Sequence, residues 1–214
     1  MNRDDLLKYI AETGYNVGFG AKKHFATYDI VEKIPGLINF LSLAVGTYAL
    51  VFKNLSAETI SATFIVLGIV GLYISFYDSK KVEYENAAIE LTQIFNKLKK
   101  LYSAVKNSQQ PELAAFISQV EALEVEYYSK AISKQILFSD WWAHYKFFWQ
   151  HQIDWLDEQK KFSFFRDKVP LSLWFTISIL VIGCALGQSN FIAFSCAKHP
   201  LPSLTSDLTS VFGV

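Results

Sequence analysis

Cysteine is nearly absent from this sequence, with only Cys184 and Cys196 among 214 residues. Twelve positions apart on one helix, they would stand about 18 Å from each other, which excludes a disulfide between them. Both read as small apolar packing residues. An excess of one charge is missing too. The 20 basic and 20 acidic side chains cancel, so no global basic field recruits nucleic acid, and direct nucleic-acid binding is not expected. A phosphate-cradling loop is lacking. Gly14, Gly18 and Gly20 follow no strand, and no Gly-Lys-Ser/Thr comes after them, so packing on a helix face is their expected role. No nucleophile, base and acid fall together by periodicity, so neither catalysis nor a cofactor is expected. His144 and His151 can share a helix face near Asp140 and Asp154. A metal site would need further ligands at matching spacing, so no metal is expected. The first 33 residues are charged and hold no continuous apolar run, so no cleavable leader is expected.

What the chain does have is apolar surface. Hydrophobic residues make up 51% and aromatic ones 16%, and the mean hydropathy is +0.20. Three stretches carry no charge at all: Ile34 to Phe52, Thr59 to Tyr77, and Val169 to Ala197. Each of the first two is about 19 residues long, which as helix spans roughly 28 Å, the thickness of bilayer hydrocarbon. The third is longer and less uniform. Its apolar centre, Leu171 to Leu186, is followed by Gly187-Gln188-Ser189-Asn190 and then by Phe191 to Phe194. It is read as a third span.

Lysine and arginine near the spans set the expected orientation, because positive flanks resist translocation. Arg3, Lys8, Lys22, Lys23 and Lys33 precede the first span, and only Lys53 lies between the first two. Lys80 and Lys81 follow the second, Lys160, Lys161, Arg166 and Lys168 precede the third, and only Lys198 comes after it. This pattern puts the N-terminus and segment 78–168 in the cytoplasm. The turn at 53–58 and the C-terminal tail are then external.

The expected fold is an all-α membrane protein. Residues 1–33 form an N-terminal amphipathic helix, 34–77 a two-span hairpin, 78–168 a cytoplasmic helical region, 169–197 a third span and 198–214 a tail. Leu7, Ala11, Gly14, Val17, Gly18, Ala21 and Phe25 recur at helical spacing, and Asp29 with Pro35-Gly36 predicts a break before the first span. Tyr84, Ala87, Leu91, Ile94, Leu98, Leu101 and Val105 form an a/d seam that ends at Asn107-Ser108-Gln109-Gln110-Pro111. Leu113, Phe116, Val120, Leu123 and Tyr127 form a second seam, so the two helices should make an antiparallel hairpin. The second span is expected to run unbroken into the first seamed helix. A further helix, roughly Ser139 to Arg166, is crowded with aromatics, and the whole region is expected to be helical.

The spans also carry small and polar stripes. Asn39, Ser42, Gly46, Ala49 and Lys53 fall at intervals of 3 and 4 in the first; Ser61, Gly68, Gly71 and Ser75 line the second; Thr176, Gly183, Gly187 and Asn190 line the third. Lipid does not favour such stripes, and they either let helices approach closely or face a wet lumen.

The stretch Tyr15-Asn16-Val17-Gly18-Phe19-Gly20-Ala21-Lys22-Lys23-His24-Phe25-Ala26-Thr27-Tyr28-Asp29, followed by a tight two-span hairpin, resembles the SLATT family. So do Gly71-Leu72-Tyr73-Ile74-Ser75-Phe76-Tyr77-Asp78-Ser79-Lys80-Lys81 and the run from Asp140 to Gln152. Those proteins are small transmembrane effectors associated with nucleotide second messengers in prokaryotic antiphage defence. The resemblance covers about Leu6 to Leu173 and implies a homo-oligomeric, pore-forming or membrane-disrupting effector in the inner membrane, in contact with lipid. It also implies a trigger, either a nucleotide second messenger or the nucleotidyltransferase system that makes it. Lys22, Lys23, His24, Lys80, Lys81, Trp141 and His144, all within the matching stretches, are the candidate surface for that signal or partner. The third hydrophobic segment departs from the two-span pattern, and no nucleotide-sensing domain is fused. The competing reading is a membrane-anchored scaffold that recruits a cytoplasmic partner through its helical hairpin. A transporter would need internal repeats or broken helices, and none is visible.

Overall fold

The computed structural model describes residues 1–51, 57–108, 113–151 and 153–198, with 185–198 described by backbone alone. In chain order the helices are α1 (Arg3–Val51), α2 (Ala57–Asp78), α3 (Lys81–Asn107), α4 (Leu113–Lys130), α5 (Ser139–Gln150), α6 (Asp154–Lys160) and α7 (Leu171–Lys198), with one π-helical turn at Phe164–Lys168 before α7. Among the described residues there is no strand, so the fold is all-α.

α1 is the axis of the unit formed by residues 1–170. At about 1.5 Å per residue its 49 residues extend roughly 74 Å, long enough for one half to be core and the other half membrane span. In the first half Leu6, Leu7, Ile10, Ala11, Gly14, Val17, Gly18 and Ala21 are buried. Against them lies the α3 seam, in which Leu91, Ile94, Leu98 and Val105 have no exposed surface. The direction of α3 is fixed at both ends. Lys81 pairs with Glu32 at 2.5 Å, and Arg3 Nε donates to the Val105 carbonyl at 3.1 Å. α3 therefore runs antiparallel to the first part of α1, from Glu32 back to Arg3. α4 returns beside α3, with Lys97 on Glu126 at 3.2 Å and Lys130 on Glu90 at 3.1 Å. These pairs are exposed and contribute little; burial of Val120 and half-burial of Leu113, Phe116, Leu123 and Tyr127 hold α4 in place.

Gly14 and Gly18 show why the first face of α1 is small. A Cβ at Gly18 would meet the Phe95 ring at 2.7 Å and the Phe147 ring at 3.0 Å, and one at Gly14 would strike the Trp155 ring. Helix-face packing is the role of both glycines.

Four expectations are corrected. α1 does not break at Pro35-Gly36 but continues through it. Proline removes one helical N–H, yet membrane helices tolerate this because neighbouring groups re-satisfy the backbone. α2 and α3 are not one helix: a turn at Ser79–Lys80, closed by the Lys80 N–H on the Tyr77 carbonyl at 3.1 Å, separates them. The region after the second span is not helical throughout, since residues 131–136 lie outside any helix. Finally, the aromatic helix from Ser139 to Arg166 is three pieces. A straight helix with aromatics on every face cannot bury them all. The breaks turn Trp155 and Leu156 into the core and set Phe162 against Phe148, ring centres 5.2 Å apart.

α2 and the second half of α1 are the two helices long and apolar enough to cross a membrane. α7 forms a separate unit whose described apolar stretch is Leu171–Cys184; Thr176 and Ser178 hydroxyls there donate to carbonyls of their own helix. The expected positions Lys53, Gln109, Gln110, Pro111 and the tail lie outside the described residues, as do the side chains of Gly187, Asn190 and Cys196.

Candidate functional site

The bundle meets the two spans at a junction built on the non-helical segment 131–138. A non-helical backbone beside the membrane must find partners for its N–H and C=O groups, and here side chains of three helices supply most of them. The Ile132 N–H donates to His24 Nε2 at 2.9 Å. Nε2 is therefore the acceptor nitrogen, so Nδ1 carries the proton and donates to the Gly20 carbonyl at 2.7 Å. The Tyr84 hydroxyl donates to the Lys134 carbonyl, the Thr27 hydroxyl to the Gln135 amide oxygen, and the Leu137 N–H to the Tyr73 hydroxyl at 3.1 Å. Val31, Ile74, Tyr77, Tyr84 and Ile136 form a small core behind this strap.

Charge gathers on the other side of the junction. Asp29 accepts from Lys33 at 2.6 Å, from Lys146, and from Trp142 Nε1 at 3.4 Å. Burial pushes the Asp29 carboxyl up, but the two ammonium groups outweigh it and the carboxyl ends below its ordinary range. Phe138 adopts a left-handed backbone with φ of 67°. For a residue with a Cβ this costs about 1–2 kcal/mol, and such strain concentrates where a side chain must be aimed.

The expected signal surface is not one patch. His24 is a core residue, buried and doubly hydrogen-bonded, rather than a surface group. Burial lowers its pKa, as suits the neutral form that the strap requires. Lys22 is half-buried and Lys23 pairs with Asp140 at 2.7 Å. Lys81 bridges Glu32 and Asp78, while Lys80 sits exposed in the turn. Trp141 belongs to the hollow that holds Asp29 and Lys33. His144 packs edge-on to Phe19, ring centres 4.9 Å apart.

The membrane stripes are split as well. In the first span Ser42, Gly46 and Ala49 are half-buried on one face, whereas Asn39 is exposed. In the second, Gly71 and Leu67 are half-buried on the face where Ile74 is buried, whereas Ser61, Gly68 and Ser75 are exposed. A Cβ at Gly46, Gly68 or Gly71 would meet nothing within 4 Å, so within one chain these glycines permit no close approach. Three span hydroxyls are satisfied by their own helix: Thr47 on Leu43, Thr63 on Thr59 and Ser75 on Leu72. The carboxamide of Asn39 has no partner among the described residues.

Reading the sequence missed Asp29, Lys146 and Trp142 as a unit. Asp29 and Lys33 at i and i+4 were a visible half of it, but Lys146 joins only through tertiary packing.

One consequence concerns acid. His151 lies against Phe95, ring centres 4.9 Å apart. Burial, then Lys22 and Lys99, lowers its pKa from 6.5 to about 4. Unfolded His151 takes up its proton near its ordinary value, so between those pH values the unfolded chain binds more protons than the folded one. Stability is therefore full above about pH 6.5 and falls as the pH drops toward 4, by about 1–2 kcal/mol after allowance for solvent screening of a half-buried ring. Thermal unfolding in detergent at pH 7 and pH 4.5 should show this loss, and His151→Gln should reduce it, leaving the part that buried His24 contributes in the same direction. An unchanged slope in the variant would place the acid sensitivity elsewhere.

No curated protein and no solved structure matches the chain. The family described as SMODS and SLOG-associating 2TM effector domain 6 matches residues 1–177, which take in the helical bundle, both candidate spans and the junction between them. With two apolar helices of membrane length emerging from one helical bundle, the chain belongs to that family of two-transmembrane effector domains.

Proposed function

We propose that this effector acts by oligomerising in the inner membrane and opening a pore, or otherwise disrupting the bilayer, in a nucleotide-signalled antiphage defence. Asn39 carries the reading. An amide at the depth of a charge-free span needs a hydrogen-bond partner, and this chain provides none among its described residues. A second copy or a wet lumen would supply it. Ser61, Gly68 and Ser75 face away from α1 and would line the same assembly. The trigger is a nucleotide messenger or the protein that makes it, received by the cytoplasmic bundle without catalysis.

Induced expression with a membrane-potential dye tests this. The parent should collapse the potential. Asn39→Leu should weaken association about tenfold, the effect of losing about 1–2 kcal/mol of interhelical hydrogen bonding. Ser75→Leu separates a lumen from packing, because the Ser75 hydroxyl is already satisfied by Leu72 and only hydration would need it. If both variants depolarise as fast as the parent, these faces line nothing.

The second reading, a membrane-anchored scaffold, draws support from a groove of about 530 Å3 between α3 and α4. It is floored by Leu101, Phe116 and Leu123 and edged by Lys97, Lys100 and Glu126. An anchor would leave the potential intact and would need that groove. Orientation enters both readings. Reporter fusions at Lys106 and Val214 should score cytoplasmic and external. Two cytoplasmic scores would mean that α7 does not span.

A further inference from the structure

Two hollows share a wall at the junction. The first, about 480 Å3, opens between Ile30 and Ile34 of α1, Ile69 and Val70 of α2, and Phe138 at the end of the strap. Its polar atoms are already spent: the Tyr73 hydroxyl is held by the Leu137 N–H. The second, about 380 Å3, continues past Ile30, Ile34 and Phe138 to Asp29, Lys33, Trp141 and Trp142. Together they make one groove with an apolar end within the spans and a charged end at the bundle. Both volumes fall in the range of about 300–1,000 Å3 typical of small-molecule sites.

We propose that this groove is a phospholipid site, with the upper part of an acyl chain in the apolar end and the phosphate beside Lys33. The groove lies where two charge-free helices join the charged bundle, at the level of a bilayer's interface. Water would gain no hydrogen bonds in its apolar end, and a neighbouring lipid chain would. The charge suits an anionic head. Lys33 and Lys146 share the single carboxylate of Asp29, which leaves one positive charge at the mouth, and Lys33 is the more exposed ammonium. Tryptophans flank it, as they do where amphipathic groups meet headgroups. The left-handed backbone of Phe138 is then accounted for, since it directs one ring into the wall that the two hollows share. The proposal rests on membrane insertion and not on pore formation.

The test uses the full chain in phosphatidylcholine vesicles. These contain a minor fraction of phosphatidylglycerol with a photoactivatable diazirine near the head of its acyl chain. After irradiation, adducts are mapped by mass spectrometry. Adducts at Ile74 and Ile136, which line the apolar end and are each only 3% exposed, should exceed those at Leu72 and Phe76, which are 67% and 74% exposed. Ile34→Trp should fill the groove and reduce the groove adducts about tenfold while leaving Leu72 labelled as before. Val70→Trp fills it from the opposite wall and should do the same if Ile34→Trp fails to fold. Lys33→Gln should lower labelling by the anionic probe more than labelling by a phosphatidylcholine probe, whose choline already offsets its phosphate. Equal labelling of inward and outward positions, or labelling that both tryptophan variants leave intact, would mean bulk lipid only and overturn the site. A crosslink between two copies at Phe138 in place of lipid adducts would overturn it too. Permeabilisation is not read at any step, so loss of the pore reading leaves this result standing.

Discussion

Leu98→Asp is expected to unfold the helical bundle. Leu98 has no exposed surface and sits in the α3 seam against the first half of α1. The substitution removes a packed side chain, and it also places a carboxylate inside a cluster of buried apolar side chains. An uncompensated buried charge costs about 3–5 kcal/mol. Set against a total stability of about 5–15 kcal/mol, that is a large share. The sequence predicts that the seam packs within an antiparallel hairpin. Its complete burial inside one chain makes the loss one of fold first, with any oligomer lost as a consequence. Thermal unfolding of detergent-solubilised protein should show a fall of many degrees or no folded state. Val125→Asp is the control, because Val125 is 69% exposed and the same charge there meets water. Its effect should stay within about 0.5 kcal/mol. If Leu98→Asp melts like the parent, α1 and α3 do not pack as described.

The parts of this molecule that the sequence discloses are those with a period. Leu91, Ile94, Leu98 and Leu101 are visible as a seam because burial on a helix repeats every three or four residues. The two spans are visible because bilayer thickness demands a long run without charge. Pro35 misled because it is a local signal, and the helix that carries it is held by packing on both sides of it. The strap could not be read at all. His24 stands between two lysines at one side and Phe25 at the other, which suggests a surface. Its partner, the Ile132 N–H, lies 108 positions away with no periodic trace. Asp29 with Lys146 is hidden for the same reason. Long-range pairs between single polar groups leave no mark in composition or spacing, and the junction consists mostly of such pairs.

Two glycines on one face of reasoning part company when each is replaced by leucine. The sequence predicts a packing role for Gly18, and for Gly68 either close helix packing or a wet lumen. At Gly18 even a Cβ would stand 2.7 Å from the Phe95 ring and 3.0 Å from the Phe147 ring. Those rings are almost wholly buried and have no room to retreat. Alanine would gain up to about 1 kcal/mol in helix propensity, and overpacking would cost about 1–3 kcal/mol. Leucine adds three more carbons to the same clash and should force α1 from α3 and α5, so Gly18→Leu should melt far below the parent. Gly68 stands in open space, with nothing within 4 Å of an added Cβ. Gly68→Leu should therefore melt with the parent or slightly above it, since leucine is the better helix former. If the proposed assembly is correct, that same variant should nonetheless lose membrane depolarisation, because the space at Gly68 belongs to a neighbouring copy or to a lumen. Retained fold with lost depolarisation would locate the requirement outside the single chain. Retained depolarisation would free this face of α2 from any role in the pore and leave Asn39 of α1 as the remaining contact to test. A melting point for Gly68→Leu as low as that of Gly18→Leu would instead mean that the spans pack more closely within one chain than the open space at Gly68 allows.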